Sequence, residues 1–314
     1  MATCKNCGKP LILNGGKCVY CGKTVDEHML NGSDNTSGAG LPPIRTFTIN
    51  GVSFNMILVE GGTFWMGAQY TNPQGQNYDL EASHVVIPEE PVHEVTLSSY
   101  YLGETVVTQA LVRKVWPDCV LHWGGKWRDG KGGNHPAYNI SWDNWKYFIQ
   151  KLNEITKQRF RMPTEAEWEY AARGGNRSRN TKYSGSDTLD DVGWYWKNSG
   201  NKVLLGTEED MDWRKMRANK CRIHAVKEKR PNEIGLYDMS GNVWECCMDY
   251  MGAYQSRHQA DPWGPYSGEQ HVIRGGCWYR QSYDCRVSTR GDVIPHSDWQ
   301  GGFGTFGLRL CLPC

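Results

Sequence analysis

Four cysteines near the N-terminus carry the clearest chemistry in the chain. Cys4-Lys-Asn-Cys7-Gly-Lys and Cys18-Val-Tyr-Cys21-Gly-Lys are two knuckles within a short stretch. Each Cys-x-x-Cys-Gly turn aims two thiolates and its backbone N–H groups at one ion, and two such turns complete a tetrahedral shell. Residues 1–24 therefore read as a zinc ribbon with Cys4, Cys7, Cys18 and Cys21 as ligands. Without the metal, so small a module has nothing to fold around. The remaining cysteines lack that Cys-x-x-Cys-Gly pattern. Cys246 and Cys247 end an apolar strand, Cys311 and Cys314 lie on the terminal one, and Cys119 and Cys221 fall outside any metal-ligand pattern. His84, His93, His122, His135 and His224 are scattered, which suits surface or packing roles. His-Glu-x-x-His, the P-loop, the dinucleotide glycine fingerprint and the nucleophile elbow do not occur.

The second chemically distinctive stretch is the C-terminal forty residues. Apolar, strand-like ends, His271–Trp278 and Gly307–Cys314, enclose a segment with neither helical nor strand periodicity. Its composition resembles a paratope. Tyr279, Tyr283 and Trp299 supply rigid contact area, while Ser282, Asp284, Asp292, His296, Ser297 and Thr305 supply adaptable hydrogen bonds. Arg280, Thr289, Gly291 and Val293 complete the candidate ligand-binding set.

These residues need a frame, and the sequence outlines one. Phe54–Val59 and Gly61–Gly67 read as short strands about a glycine turn, and His93–Leu102 alternates as a further strand. Between them, 68–90 is a long polar loop. Ser141 is a good N-cap, followed by Trp142, Trp145, Phe148, Ile149, Leu152 and Ile155 at helical spacing. Thr164 and Glu167 form a capping box that starts a short helix ending before Gly174-Gly175. Residues 204–222 are a charged insertion expected on the surface. Residues 25–45, polar and then Pro42-Pro43, form a flexible linker.

A chain of 314 residues with 14 Trp, 16 Tyr and 36 Gly suits one loop-rich domain, 46–314, plus the small appendage. The net charge of +1 offers no field for nucleic acid or an acidic membrane. No stretch has the length to span a bilayer, and the N-terminus lacks an apolar leader, so residence in the cytoplasm is expected. Packaging in a phage particle or surface display stays open.

Taken together, the motifs resemble the formylglycine-generating enzyme, or sulfatase-modifying factor, family. Gly61-Gly-Thr-Phe-x-Met-Gly67, Arg161-Met-Pro-Thr-Glu-Ala-Glu-Trp-Glu-Tyr-Ala-Ala-Arg-Gly-Gly175, Asn232–Glu245, Arg274-Gly-Gly-x-Trp278 and Gly307-Leu-Arg309 occur in the family's order. The resemblance implies an irregular α+β fold of the C-type lectin-like type. It also implies a calcium site in Asp238-Met-Ser-Gly-Asn-Val-Trp-Glu245, built from the side chains of Asp238 and Glu245 and the carbonyls of Gly241 and Val243, whose hard oxygens suit that ion.

The resemblance leaves two functions open, because this scaffold serves both catalysis and binding. The family's oxidase binds Cu(I) through two cysteines and makes formylglycine from a substrate cysteine. Here the first of those positions falls on Arg280. The second falls on Cys285 only without a gap, and matching Arg286 and Arg290 to the family's arginines shifts it. Cys277 replaces the motif's usual serine and could pair with Cys285 as a displaced catalytic dithiol; otherwise both are small buried hydrophobes. The family's sulfoxide synthases need a histidine-bearing helical domain for which the chain has no room.

The other reading is a non-enzymatic ligand-binding protein, similar to the variable proteins of diversity-generating retroelements. In these, a C-terminal segment is rewritten at adenine-rich codons within a fixed frame. Residues 278–306 match that pattern: Tyr279–Thr305 contains no Lys, Glu or Met, which such mutation of Asn codons cannot reach. Gln281, Trp299 and Gln300 are unreachable too and would belong to the frame. The implied partner is a protein or glycan at the C-terminal surface, with a separate protein partner for the ribbon.

Overall fold

The computed structural model describes residues 40–119, 132–291 and 305–314 in full, and the backbone of three short strands besides. Two of these, β1 (Leu13–Asn14) and β2 (Lys17–Cys18), pair antiparallel between the N-terminal knuckles. Cys4, Cys7, Cys21, His122 and the side chain of Cys18 lie outside the described residues.

β3 (Ile44–Ile49) and β4 (Val52–Val59) form a hairpin whose turn is Asn50-Gly51, both at positive φ, as a two-residue turn matched to strand twist requires. β5 (Gly62–Met66) and β6 (His93–Leu97) pair antiparallel across the long loop, and β7 (Tyr100–Gly103) follows at once. The single strand expected over 93–102 is thus two. Ser98 and Ser99 break it, so that one half enters each of two sheets.

The helices are α1 (Gln109–Val115), α2 (Trp142–Thr156), α3 (Glu165–Ala172), α4 (Leu189–Val192) and, after the small strand β8 (Gly193–Trp194), α5 (Trp213–Ala218). The chain ends in β9 (Ser240–Gly241), β10 (Trp244–Tyr250), β11 (Gln259–Ala260), β12 (Gln270–Arg274), β13 (Ile294–Pro295), β14 (Phe306–Gly307) and β15 (Cys311–Pro313). Three main sheets run β15-β7-β4-β3, β13-β12-β10-β14 and β11-β6-β5. The pairing of β15 with β7 ties the C-terminus to the first sheet. This is the irregular α+β, C-type lectin-like architecture.

Ser141 Oγ accepts from the Asn144 N–H at the start of α2, which buries Trp142, Trp145, Phe148, Ile149 and Leu152. Ile155, expected on that face, is half exposed, because the helix closes one residue later and Lys157 turns left-handed. The capping box of α3 is present in full. Every residue of that helix is buried, its three glutamates included.

Each of these three glutamates meets an arginine. Glu167 takes both arms of Arg161 at 2.6 Å, Glu165 those of Arg290 at 2.8 and 3.0 Å, and Glu169 holds Arg173 and Arg274. Glu245 with Arg309 and Glu89 with Arg286 repeat the arrangement. Desolvating such ions is compensated only by this two-pronged geometry. The pairs fasten α3 to β12 and to the segment that follows it.

Candidate functional site at the C-terminal segment

From Trp278 to Gly291 the segment is held by its main chain. Ser199 Oγ donates to the Trp278 carbonyl at 2.8 Å, and the Trp196 N–H to that of Arg280 at 3.2 Å. The Ser282 N–H reaches Glu208 Oε2 at 3.3 Å. The carbonyl of Tyr283 accepts from Arg286 Nε at 2.9 Å and Thr289 Oγ1 at 2.8 Å. The amides of Val287 and Gly291 donate to the carbonyls of Lys182 and Ile273. Because peptide groups make these bonds, they survive a change of side chain at the residue held.

The turn into the segment depends on glycine. Gly276 has φ +72, and a Cβ there would stand 2.6 Å from Cys285 Sγ and 2.8 Å from the Asp284 carbonyl oxygen. No other residue fits.

Two loops flank the segment. The 68–90 loop is not merely a surface excursion: Asp79 and Glu89 clamp Arg286, and His84 stacks on Tyr283 with ring centroids 5.6 Å apart. The 204–222 insertion also departs from a purely superficial placement. Glu208 Oε1 accepts from Ser282 Oγ at 2.9 Å, and Oε2 accepts from Trp196 Nε1 at 2.6 Å. Trp213 of α5 lies 5.2 Å from Tyr279, ring to ring, while Met216 and Cys221 are buried in the core.

The candidate ligand contacts divide. Tyr279, Arg280, Ser282, Tyr283 and Asp284 are half-buried with surface on one turn. Thr289, Gly291 and Thr305 are a correction to the sequence-based set: they are buried, and Thr289 spends its hydroxyl on the Tyr283 carbonyl. Asp292, Val293, His296, Ser297 and Trp299 lie outside the described residues.

Cys277 and Cys285 are fully buried in the hydrophobic core, and burial is the main cause pushing both thiols up, Cys277 to about 11. The two lie close enough for Cys277 to help raise the Cys285 thiol, and Cys285 Sγ abuts Gly276, the residue before Cys277. Arg280, where the oxidase would have a cysteine, leans over Trp244 and Tyr279. A guanidinium there does not fit a cuprous site.

The calcium set fits in part. Asp238, at positive φ, gives one carboxylate oxygen to the Lys227 N–H, and the other is buried with no partner. Such an orphaned oxygen suits a cation. Burial, with Glu245 nearby, pushes the carboxyl up to about 6. Glu245 itself is committed: Arg309 reaches both its oxygens, at 2.7 and 2.8 Å, and Trp168 Nε1 takes one at 2.7 Å.

The family description "Sulfatase-modifying factor enzyme 1-like domain" matches residues 49–310. The chain belongs to that family. Among its relatives, the formylglycine-generating enzyme of Streptomyces coelicolor is 29% identical over 304 residues, spanning 81% of this chain and 87% of that one. The chaperone protein LppX of Paenibacillus barcinonensis is 30% identical over 288 residues, with 81% and 89% covered. Among solved structures, variable protein 1 of Treponema denticola superposes with a TM-score of 0.65 at 28% identity, covering 87% of this chain and all of that one.

Within this sulfatase-modifying-factor-like domain His93 and His224 are structural. His93 bonds the Pro91 carbonyl, and His224 stacks on Trp194 between Glu228 and the Ser199 carbonyl. Cys246, Cys247 and Cys311 are core residues and Cys314 is exposed. Two contributors escaped sequence reading, Ser199 and Glu208. The only signal was an acidic residue beside tryptophans, which fixes no partner.

Proposed function

We propose that the chain is a non-enzymatic ligand-binding protein that presents the side chains of 278–306 as an exchangeable surface, as a diversity-generating retroelement variable protein does. The observation carrying this reading is the main-chain grip on Trp278–Gly291, made by peptide groups that remain when the half-buried side chains are exchanged. The likeness to a variable protein over that protein's whole length supports it. The partner is a protein or a glycan. A library randomised at Arg280, Ser282, Tyr283 and Asp284 tests the proposal. Most members should stay folded and some should bind unrelated targets; loss of folding in most members would sink it. An adenine-rich near-copy of the 3′ coding end beside a reverse-transcriptase gene is the matching genomic observation.

The oxidase reading draws on the Streptomyces coelicolor relative and on the closeness of Cys277 to Cys285. Tight Cu(I) binding in reducing buffer, lost in Cys285→Ser, would replace the binding proposal with a copper-dependent formylglycine-generating activity. Two structural ions complete the proposal. Zinc would be held by Cys4, Cys7, Cys18 and Cys21, and calcium by Asp238 with the carbonyls of Gly241 and Val243 and the remaining lone pairs of Glu245.

Among the described residues no helix is long and apolar enough to cross a membrane.

A further inference from the structure

The 68–90 loop makes a second concave feature, on the side of β5 and lined by none of the C-terminal residues. Trp65, Thr71, Asn72, Gly75, Gln76 and Glu90 contribute to an open cleft of about 370 Å³, within the range of about 300–1,000 Å³ common for small-molecule sites. The Trp65 side chain is 41% exposed on one wall.

The cleft is built in advance. Gln69, itself buried, accepts from the amides of Thr71 and Asn72 at 3.0 and 2.8 Å and donates to the carbonyls of Asn72 and Gln76 at 2.7 and 3.4 Å. Asn77 Nδ2 then binds the carbonyls of both Trp65 and Gly67 at 2.7 Å. Gly75 packs so close that a Cβ would stand 2.8 Å from Gln69 Nε2. A polar loop on the surface gains little stability from such stapling. Its consequence is a fixed geometry, which lowers the entropy a ligand must overcome.

What the staples leave over defines the ligand. Asn72 Nδ2, the Gln76 side-chain amide, the Glu90 carboxylate and Trp65 Nε1 make no hydrogen bond within the described residues, and all border the cleft. They offer donors and acceptors in mixture beside one flat aromatic face. The lining has no cation, and Glu90 repels anions, which excludes phosphate, sulfate and carboxylate ligands. The amides make it too polar for a purely apolar guest. Vicinal hydroxyls over an apolar C–H face match both features.

We propose that this cleft is a second binding site, independent of the C-terminal segment, for a neutral sugar. Saturation-transfer NMR and calorimetry with the methyl glycosides of glucose, galactose, mannose and N-acetylglucosamine test it, with choline chloride as a cationic probe for the Trp65–Glu90 pair. At least one glycoside should bind in the millimolar range. Trp65→Ala should weaken it at least about tenfold, and Gln76→Ala about threefold, the loss of one hydrogen bond. Gln76→Ala should not move Tm, because that side chain is exposed, and Trp65→Ala, which removes a partly buried ring, should stay folded. Ser282→Ala, a change on the C-terminal surface that faces Glu208 and not the 68–90 loop, should leave sugar binding intact, which separates this site from that surface. Binding of choline alone, no glycoside binding, or full affinity in Trp65→Ala would overturn the proposal.

Discussion

Glu208 holds Ser282 by both main chain and side chain, its two carboxylate oxygens at 3.3 Å from the amide nitrogen and 2.9 Å from the hydroxyl. The same carboxylate accepts from Trp196 Nε1, deep in the core, and takes an ion pair from Lys197. A charged insertion thereby becomes the clasp on the first turn of the C-terminal segment.

Removing the clasp should loosen that turn. Glu208→Ala leaves the Trp196 indole N–H unpaired in a buried position, a cost of about 1–3 kcal/mol. Hydrogen exchange should rise at the amides of 282–285, with little change in β10 or α2. Unchanged protection at Ser282 would refute the clasp.

Frame and surface should respond differently to truncation. Arg286→Ala strands Glu89 without its cation in a fully buried site and should cost about 3–5 kcal/mol. Asp284→Ala and Ser282→Ala remove half-exposed side chains and should stay within about 1 kcal/mol. Chemical denaturation of the three variants distinguishes the classes.

Asp249 gives the stability curve a direction. Burial first, and then the neighbouring Glu165, raise its carboxyl from 3.8 to about 7. The folded state therefore favours the protonated acid. The associated stability is complete below about pH 4 and is lost as pH rises through about 7. Asp249→Asn keeps an oxygen for the Glu165 N–H and should flatten the change in Tm between those limits.

Calcium should raise Tm by mass action, by an amount equivalent to about 2.7 kcal/mol at a hundredfold excess over Kd. Asp238→Asn should abolish the increment, and a chelator should reverse it in the parent. Thermal scans of both proteins with and without the ion are the measurement; a parent insensitive to calcium would remove the ion from the proposal.

The local grammar of the chain was legible from its residues alone. Ser141 before a tryptophan-rich helical repeat, the Thr164–Glu167 box and the family motifs from Gly61 to Arg309 each depend on neighbours a few positions away, or on a matching pattern. Sequence also singled out the C-terminal segment with Tyr279, Arg280, Ser282, Tyr283 and Asp284, all of them half-buried. It could not divide that segment into surface and frame, because burial at Thr289, Gly291 and Thr305 comes from walls built elsewhere in the chain. Nor could it choose which arginine meets which glutamate, for Arg286 with Glu89 and Arg309 with Glu245 are long-range pairs. Hydrogen bonding and packing at distances this great in sequence are set by how the sheets cross, and only the tertiary structure decides that.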